Sequence, residues 1–330
     1  MLLTPAEPGR GAQSEPDPDG QSPSWLAAPV SAMSAPPDSS MPAAGRAVGG
    51  MPDMSLASAS LRDGGCFVRA LPLDTTCAGA ARRYFREALA GADLPADLVH
   101  DGVTMASELA ANTVNAHGNI EFAGQGHRPV SGIPEIWLYL RSCGSGRELV
   151  CKIFDSEPGW DAGEPLPVGA AVPAGPDSVR GRGLQMVAGL SAGLWGHHLS
   201  RGRLGAWKVQ GKAVWFALRI PATCELARTE RYAPAGSRAI AELTSALSER
   251  GLGAGLVPMT EPGGDLAVLS VSRELTVWCR KEVIWWQYPH GGYDRLAVCD
   301  LVEAAERIIC AHEELVAARA ADDRPERPEA

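Results

Sequence analysis

The sequence predicts an α+β protein: a two-layer α/β sandwich built on a mixed, mostly antiparallel sheet, followed by a small C-terminal α+β domain. Three observations carry this. Two apolar runs, EIWLYLR at 135–141 and ELVCKIFD at 148–155, are joined by the short turn segment SCGSGR, as antiparallel strands are. Upstream of them, apolar residues recur at near-helical spacing over residues 95–118. A hydrophobic content of 45% suffices for real cores, in a length that accommodates about two domains.

Taken in order, residues 1–60 are rich in Pro, Ser, Ala, Gly and Asp, with stretches such as EPDPDG and SAPPDSS and no sustained hydrophobic period. Such a segment cannot offset its ordering entropy and is expected to be disordered. CFVRALPL then has the pattern of a strand, and Asp74, Thr75 and Thr76 after it are good helix N-cap residues. The helix they open should run through AGAARRYFREALAG and stop near Gly91. A second helix, PADLVHDGVTMASELAANTVNAHG, carries Leu98, Val99, Met105, Leu109 and Val114 as its apolar stripe and ends at Gly118, a natural C-cap.

After the paired strands comes SEPGWDAGEPLPVGAAVPAGPDSVR, about 25 residues, a length at which loops are functional lids or disordered. GRGLQMVAGLSAG opens as a glycine turn and continues as a helix, and the strands LWGHHLS and KAVWFALRI close a unit spanning 61–221. Residues 222–236 are expected to form a linker. The helix SRAIAELTSALSERG, the short strands DLAVLSVS, LTVWCR and EVIWWQY, a turn at PHGGYD and the helix DLVEAAERIICAHEELVAAR make the second domain, 237–319. A charged, Pro-containing tail, 320–330, is expected to be disordered.

Several function classes are disfavoured by composition. A net charge of -9 argues against a broad footprint for nucleic acid, which needs a concentrated excess of Lys and Arg. No run approaches the ~18 apolar residues of a membrane span. The N-terminus lacks a basic region followed by an apolar one. A cytoplasmic protein without membrane contact is therefore expected. The eight cysteines include no C-x-x-C pair and suggest buried, reduced thiols. His197 and His198 are neighbours on a predicted strand and face opposite ways, so they do not readily share a metal, and no transition-metal site is expected. The same alternation puts Trp285 and Trp286 on opposite faces, one of them outside the core, where an exposed Trp would suggest a protein-binding patch.

The chemistry concentrates on Glu108 and Asn112, an acid and an amide four residues apart and hence on one face of the second helix. They are followed by a strand ending in Asp155-Ser156-x-Pro158-Gly159, the long loop, and Gly181-Arg182-Gly183-Leu184 opening a helix. This ordered set resembles the N, G1 and G2 boxes of the Bergerat-fold (GHKL) ATPase superfamily. Within it, ARRYFREALAGADLPADLVHDGVTMASELAANTVNAHG, GRGLQMV and GKAVWFAL are most similar to the anti-sigma-factor serine kinases, over about half of the chain.

The resemblance implies ATP and Mg²⁺ as cofactors. Asn112 would give a side-chain oxygen to Mg²⁺, a hard cation that bridges nucleotide phosphates. Glu108 would be the general base. Asp155 would accept a hydrogen bond from the adenine amino group, and Gly159 would let the backbone approach the base. Gly181 and Gly183, at the helix start with Leu184, would do the same beside the phosphates, where free N–H groups bind anions. Arg182 either adds charge to the phosphates or points to solvent. The implied partner is an anti-sigma-factor antagonist or a sigma factor, and a homodimer is left open.

The sequence departs from the family pattern in three places. His117 lies five residues after Asn112 where the family has its histidine at four, which favours a capping or core role for it. The G1 box is DSEPG, a variant found in the anti-sigma-kinase branch of the superfamily. The N-terminal extension and the added C-terminal domain imply a different partner set or regulatory input. The alternative to a kinase is an ATP-binding adaptor with little phosphotransfer, in which the nucleotide sets the lid and thereby the partner surface. A sensor histidine kinase is disfavoured because no helical hairpin with a phosphoacceptor histidine precedes the domain. A gyrase-type ATPase is disfavoured because the segment after it is short and wrongly patterned for a transducer.

Overall fold

The computed structural model describes residue 61 and residues 64–122, 132–156, 182–205, 208–261, 266–288 and 291–322. Strand β1 (Phe67–Ala70) leads into α1 (Cys77–Ala88). The turn between them is fixed by Asp74, whose carboxylate accepts from the Thr76 N–H and hydroxyl at 2.7 and 2.5 Å. Helix α2 (Ala96–Phe122) runs past Gly118, the residue expected to end it. One interior glycine costs about 1 kcal/mol relative to alanine, which a helix this long tolerates.

Strands β2 (Glu135–Cys143) and β3 (Gly146–Asp155) form the expected hairpin, turning at Gly144-Ser145 with Gly144 at φ 56°. Helix α3 (Arg182–Leu190) and strands β4 (Trp195–Arg201) and β5 (Gln210–Ile220) complete the first half. The sheet order is β1-β2-β3-β5-β4, and every described pairing is antiparallel where a mixed sheet was expected.

Alternation along these strands separates two buried faces. Ile136, Leu138, Leu140, Leu149, Cys151, Ile153, Phe216 and Leu218 point to α1, α2 and α3 and form one apolar core with Phe85, Met105, Leu109 and Val187. The opposite face carries Glu135, Trp137, Tyr139, Glu148, Lys152 and Phe154, all buried. It is covered by the chain's last helix, so the unit has a third layer beyond the two expected.

Residues 222–236, expected as a linker, carry the short helix α4 (Glu225–Arg228) and are tied down by Arg231. The Arg231 guanidinium donates to the Cys299 carbonyl, the Asp300 carboxylate and the Ser142 hydroxyl. Helix α5 (Gly236–Leu247) passes through a π-helical turn, Ser248–Leu252, into a second five-stranded sheet. Its strands are β6 (Val257–Thr260), β7 (Leu266–Ser272), β8 (Leu275–Arg280), β9 (Val283–Gln287) and β10 (Tyr293–Ala297), paired antiparallel in order. Neither β6 nor β10 stands out in the sequence, because VPMT contains a proline and YDRLA is mostly polar.

Helix α6 (Leu301–Asp322) lies between the two sheets. Ala304, Ala305, Ile308, Ile309 and Leu315 join the apolar core of the second sheet with Ile240, Leu243, Val277 and Trp286. Glu303, Glu306 and Glu313, from the other side of the helix, reach the first sheet, and both sheets belong to one compact unit, Asp53–Ala330. All eight cysteines are free thiols; Cys77, Cys151, Cys224 and Cys279 are buried, and Cys143 is exposed in the β2–β3 hairpin. Among the described residues no helix is long and apolar enough to cross a membrane.

Candidate functional site

The apolar stripe of α2, made by Val103, Met105, Ala106, Leu109 and Ala110, faces the first sheet and α1. Arg82 in α1 donates to the Ser107 hydroxyl at 2.7 Å and holds the two helices together. Glu108 borders this stripe and is half-buried, while Asn112, one turn on, is exposed. The helix therefore presents a carboxylate at the core boundary and an amide to solvent on the same side.

Helix α3 is anchored by the fully buried Val187 and brings its first turn against α2. Gly183 marks the contact. A methyl group placed on it would sit 2.7 Å from Glu108 Oε2 and 3.6 Å from Glu108 Cβ. A side chain here would push the flexible end of Glu108 aside, whereas glycine leaves the carboxylate against the α3 backbone. The first N–H groups of a helix lack intrahelical acceptors, so this helix start carries partial positive charge beside Glu108. Leu184, the next residue, is half-buried and packs on the first core. Arg182 begins α3, whereas Gly159 and Gly181 lie outside the described residues.

Asp155 ends β3 on the helix-covered face of the sheet and is 2% exposed. Its register partner on β5 is Lys212, whose Nζ lies 3.4 Å from Asp155 Oδ2. Lys212 was not singled out from the sequence. Its role depends on β5 pairing directly with β3, which a strand pattern alone does not give. Gly211 makes that pairing close: a Cβ there would meet the Asp155 carbonyl oxygen at 2.1 Å. Beyond the strand end, the Ser156 hydroxyl donates to the Gly132 carbonyl at 3.3 Å.

The electrostatics around Asp155 are legible in its neighbours. Burial pushes the Cys77 thiol, at the start of α1, up to about 11, with Asp74 and Asp155 adding to the rise. His197, on the same face of β4, is held below the usual histidine range by burial and by the Lys212 ammonium. Its neighbour His198 turns to the other face, as alternation predicts, with Nε2 2.9 Å from Lys152 Nζ. His117 lies within α2, short of its end.

The structure thus brings Glu108, Gly183 and Leu184 together across two helices, keeps Asn112 accessible one turn away, and sets Asp155 at the strand end with Lys212. Among the described residues, no group of three or more His, Cys, Asp or Glu is placed to hold a metal ion. Magnesium held by one amide oxygen and by phosphate oxygens needs no such group. Comparison with known protein families, with curated proteins and with solved structures finds no match to this chain.

Proposed function

We propose that this chain binds Mg²⁺-ATP between α2, α3 and the end of β3, and acts as a protein serine/threonine kinase similar to the anti-sigma-factor kinases. The observation that carries the proposal is the contact between Glu108 and Gly183. These residues are distant in sequence, belong to separate boxes of the family pattern, and meet where a side chain on residue 183 would displace the Glu108 carboxylate. A βααββ–αββ element order, with three helices on one face of an antiparallel sheet, supports the same reading of the fold as Bergerat-like.

The residues suit the roles. Asn112, exposed on α2, is free to offer its amide oxygen to the cation, which would neutralise phosphate charge when bound. Glu108 is half-buried beside it and within reach of a hydroxyl brought to the same point, as a general base must be. Asp155, at the strand end beside Lys212, would accept from an exocyclic amino group of a base, as the resemblance implies. The N–H groups at the start of α3, with Gly183 and Leu184, suit phosphate oxygens.

Calorimetry with Mg²⁺-ATP on the full chain tests this reading. Wild type should bind, and Asn112→Ala should lose most of the affinity at an unchanged melting temperature, because the side chain is exposed. Asp155→Asn should lose discrimination between ATP and GTP. A wild-type chain with no heat of binding would overturn the proposal.

A further inference from the structure

The second sheet has one face in the core and one face outward. Ala267, Leu269, Val277, Cys279, Ile284 and Trp286 point inward to α5 and α6. The outward face is crossed by a single register row that touches all five strands: Met259, Val268, Trp278, Trp285 and Arg295. The rings of Trp278 and Trp285 stack at 6.3 Å between centroids and 15° between planes, and both are half-buried. Val257, 54% exposed, and Tyr293, 69%, lie at the two ends of the adjacent row, and within the row Met259 is 46% and Val268 7% exposed. A contiguous apolar surface of this kind on a folded chain marks an interaction site.

Its charge pattern says what would cover it. Arg280, next to the Trp pair in the adjacent row, and Arg295, within the row, are exposed, and neither forms an ion pair with a described residue. No strand position on this face carries a carboxylate; Asp294 turns inward to Arg307, and Glu261 lies one residue past β6. On a chain of net charge -9, this aromatic face thus carries two arginines unpaired among the described residues against one carboxylate, Glu261, at the margin of the Arg280 row.

We propose that this face docks a protein partner through a segment that combines aromatic or aliphatic residues with Asp or Glu. The inference is independent of nucleotide binding. A second copy of the chain is a poorer occupant, because its matching face brings two more arginines and only the marginal Glu261 to meet them. A nucleic acid strand would find two cations on a strongly acidic chain, too few for the phosphate contacts that dominate such binding. The edge strand β6 contains Pro258, which has no N–H to donate, so addition of a strand at that edge is blunted.

Selection of a random peptide display library on the full chain, with counter-selection on the Arg280→Glu/Arg295→Glu variant, tests the proposal. Both arginines are exposed, so the variant should keep the wild-type melting temperature. Enriched peptides should carry net negative charge around aromatic or aliphatic anchors. Their affinity, measured by fluorescence polarisation, should fall about tenfold or more in the arginine variant and in Trp285→Thr. Enrichment of neutral or basic peptides, no enrichment over the variant, tighter binding of labelled oligo(dT) than of any peptide, or self-association abolished by Trp285→Thr would each overturn it.

Discussion

Along β3, neighbouring side chains enter two environments that share only their dryness. Leu149, Cys151 and Ile153 go into the apolar layer beneath α1 and α2. Glu148 and Lys152, between them, go into a layer of ion pairs beneath α6. There Glu306, fully buried, accepts from Arg203 Nη2 at 2.8 Å and pairs with Arg250 and, at 3.4 Å, with Lys152. Glu303 accepts from the Tyr139 hydroxyl at 2.5 Å, from Arg141 at 3.0 Å and from Arg307 at 2.7 Å. The apolar face owes its stability to area removed from water, which forgives small changes of shape. On the charged face each ion depends on all its partners, and the layer fixes where α6 sits.

The largest effect expected follows from that dependence. Burial works against the Glu306 carboxylate, but Arg250, Lys152 and Arg203 hold its pKa well below the usual carboxylate range, so it stays charged. Replacing it as Glu306→Gln strands those cations in the interior, and denaturant unfolding should show a loss of about 3–5 kcal/mol. Exchanging Glu306→Leu together with Arg250→Met and Arg203→Met, which leaves Lys152 to Glu303, should recover most of that loss. If the triple change is no better than the single one, the layer is held by something other than mutual compensation.

A smaller effect separates the faces by pH. Burial, together with Lys152, lowers His198 to about 3, against about 6.5 for a free histidine. The unfolded chain takes up a proton below pH 6.5 that the folded chain refuses, so stability falls as pH drops through that window towards 3. At pH 5 the loss should be roughly 1–2 kcal/mol. Glu303 adds a second window of the same sign. Burial pushes its carboxyl up, but Lys152, Arg141 and Arg307 overcome this and leave it at about 2, so its contribution is present above about 4.5 and is lost as pH falls towards 2. His198→Gln should reduce the fall of thermal stability between pH 6.5 and 5 to the smaller part that His197 carries, and leave the second window in place. An unchanged pH profile would mean that another group carries the first window.

The apolar face should respond least. Ile153→Val, at a site 1% exposed, should cost about 0.5–1.5 kcal/mol with no pH dependence, as a lost methylene in a close-packed core does. A pH-dependent loss at Ile153 would mean that the two layers are coupled through the sheet.

This division was only half legible in the sequence. The strands and both long helices of the first half follow from periodicity, and Glu108, Asn112 and Asp155 stand out by spacing. That EIWLYL and LVCKIF are nearly continuous apolar runs is the mark of strands buried on both sides, a sign of the third layer that the expectation of two layers passed over. It was masked because the cover, α6, presents glutamates to the sheet, and a helix with Glu303, Glu306 and Glu313 has the pattern of a solvated face until its cationic partners on β3, on β4 and after α5 are known. Lys212 was hidden for the same reason: its meaning lies in a register, Asp155 opposite Lys212, that connects distant segments. Gly183 was visible as a glycine, but the carboxylate it admits belongs to another helix.

The smallest expected change in stability tests that last contact and the proposed chemistry together. Glu108→Gln keeps the volume of the side chain and its approach to Gly183, so unfolding should move by less than about 0.5 kcal/mol. Mg²⁺-ATP should still bind with near wild-type affinity, because the amide of Asn112, the start of α3 and Asp155 are untouched. Phosphotransfer should fall by about two to four orders of magnitude when the group that takes the hydroxyl proton is removed. The measurement is transfer of labelled phosphate from ATP to the protein partner or to the chain itself, run beside calorimetry. Loss of binding and transfer together would make Glu108 a structural support for α3. Retention of both would remove it from catalysis and favour the adaptor reading, in which closure of the site over nucleotide, rather than chemistry at Glu108, is what the partner senses.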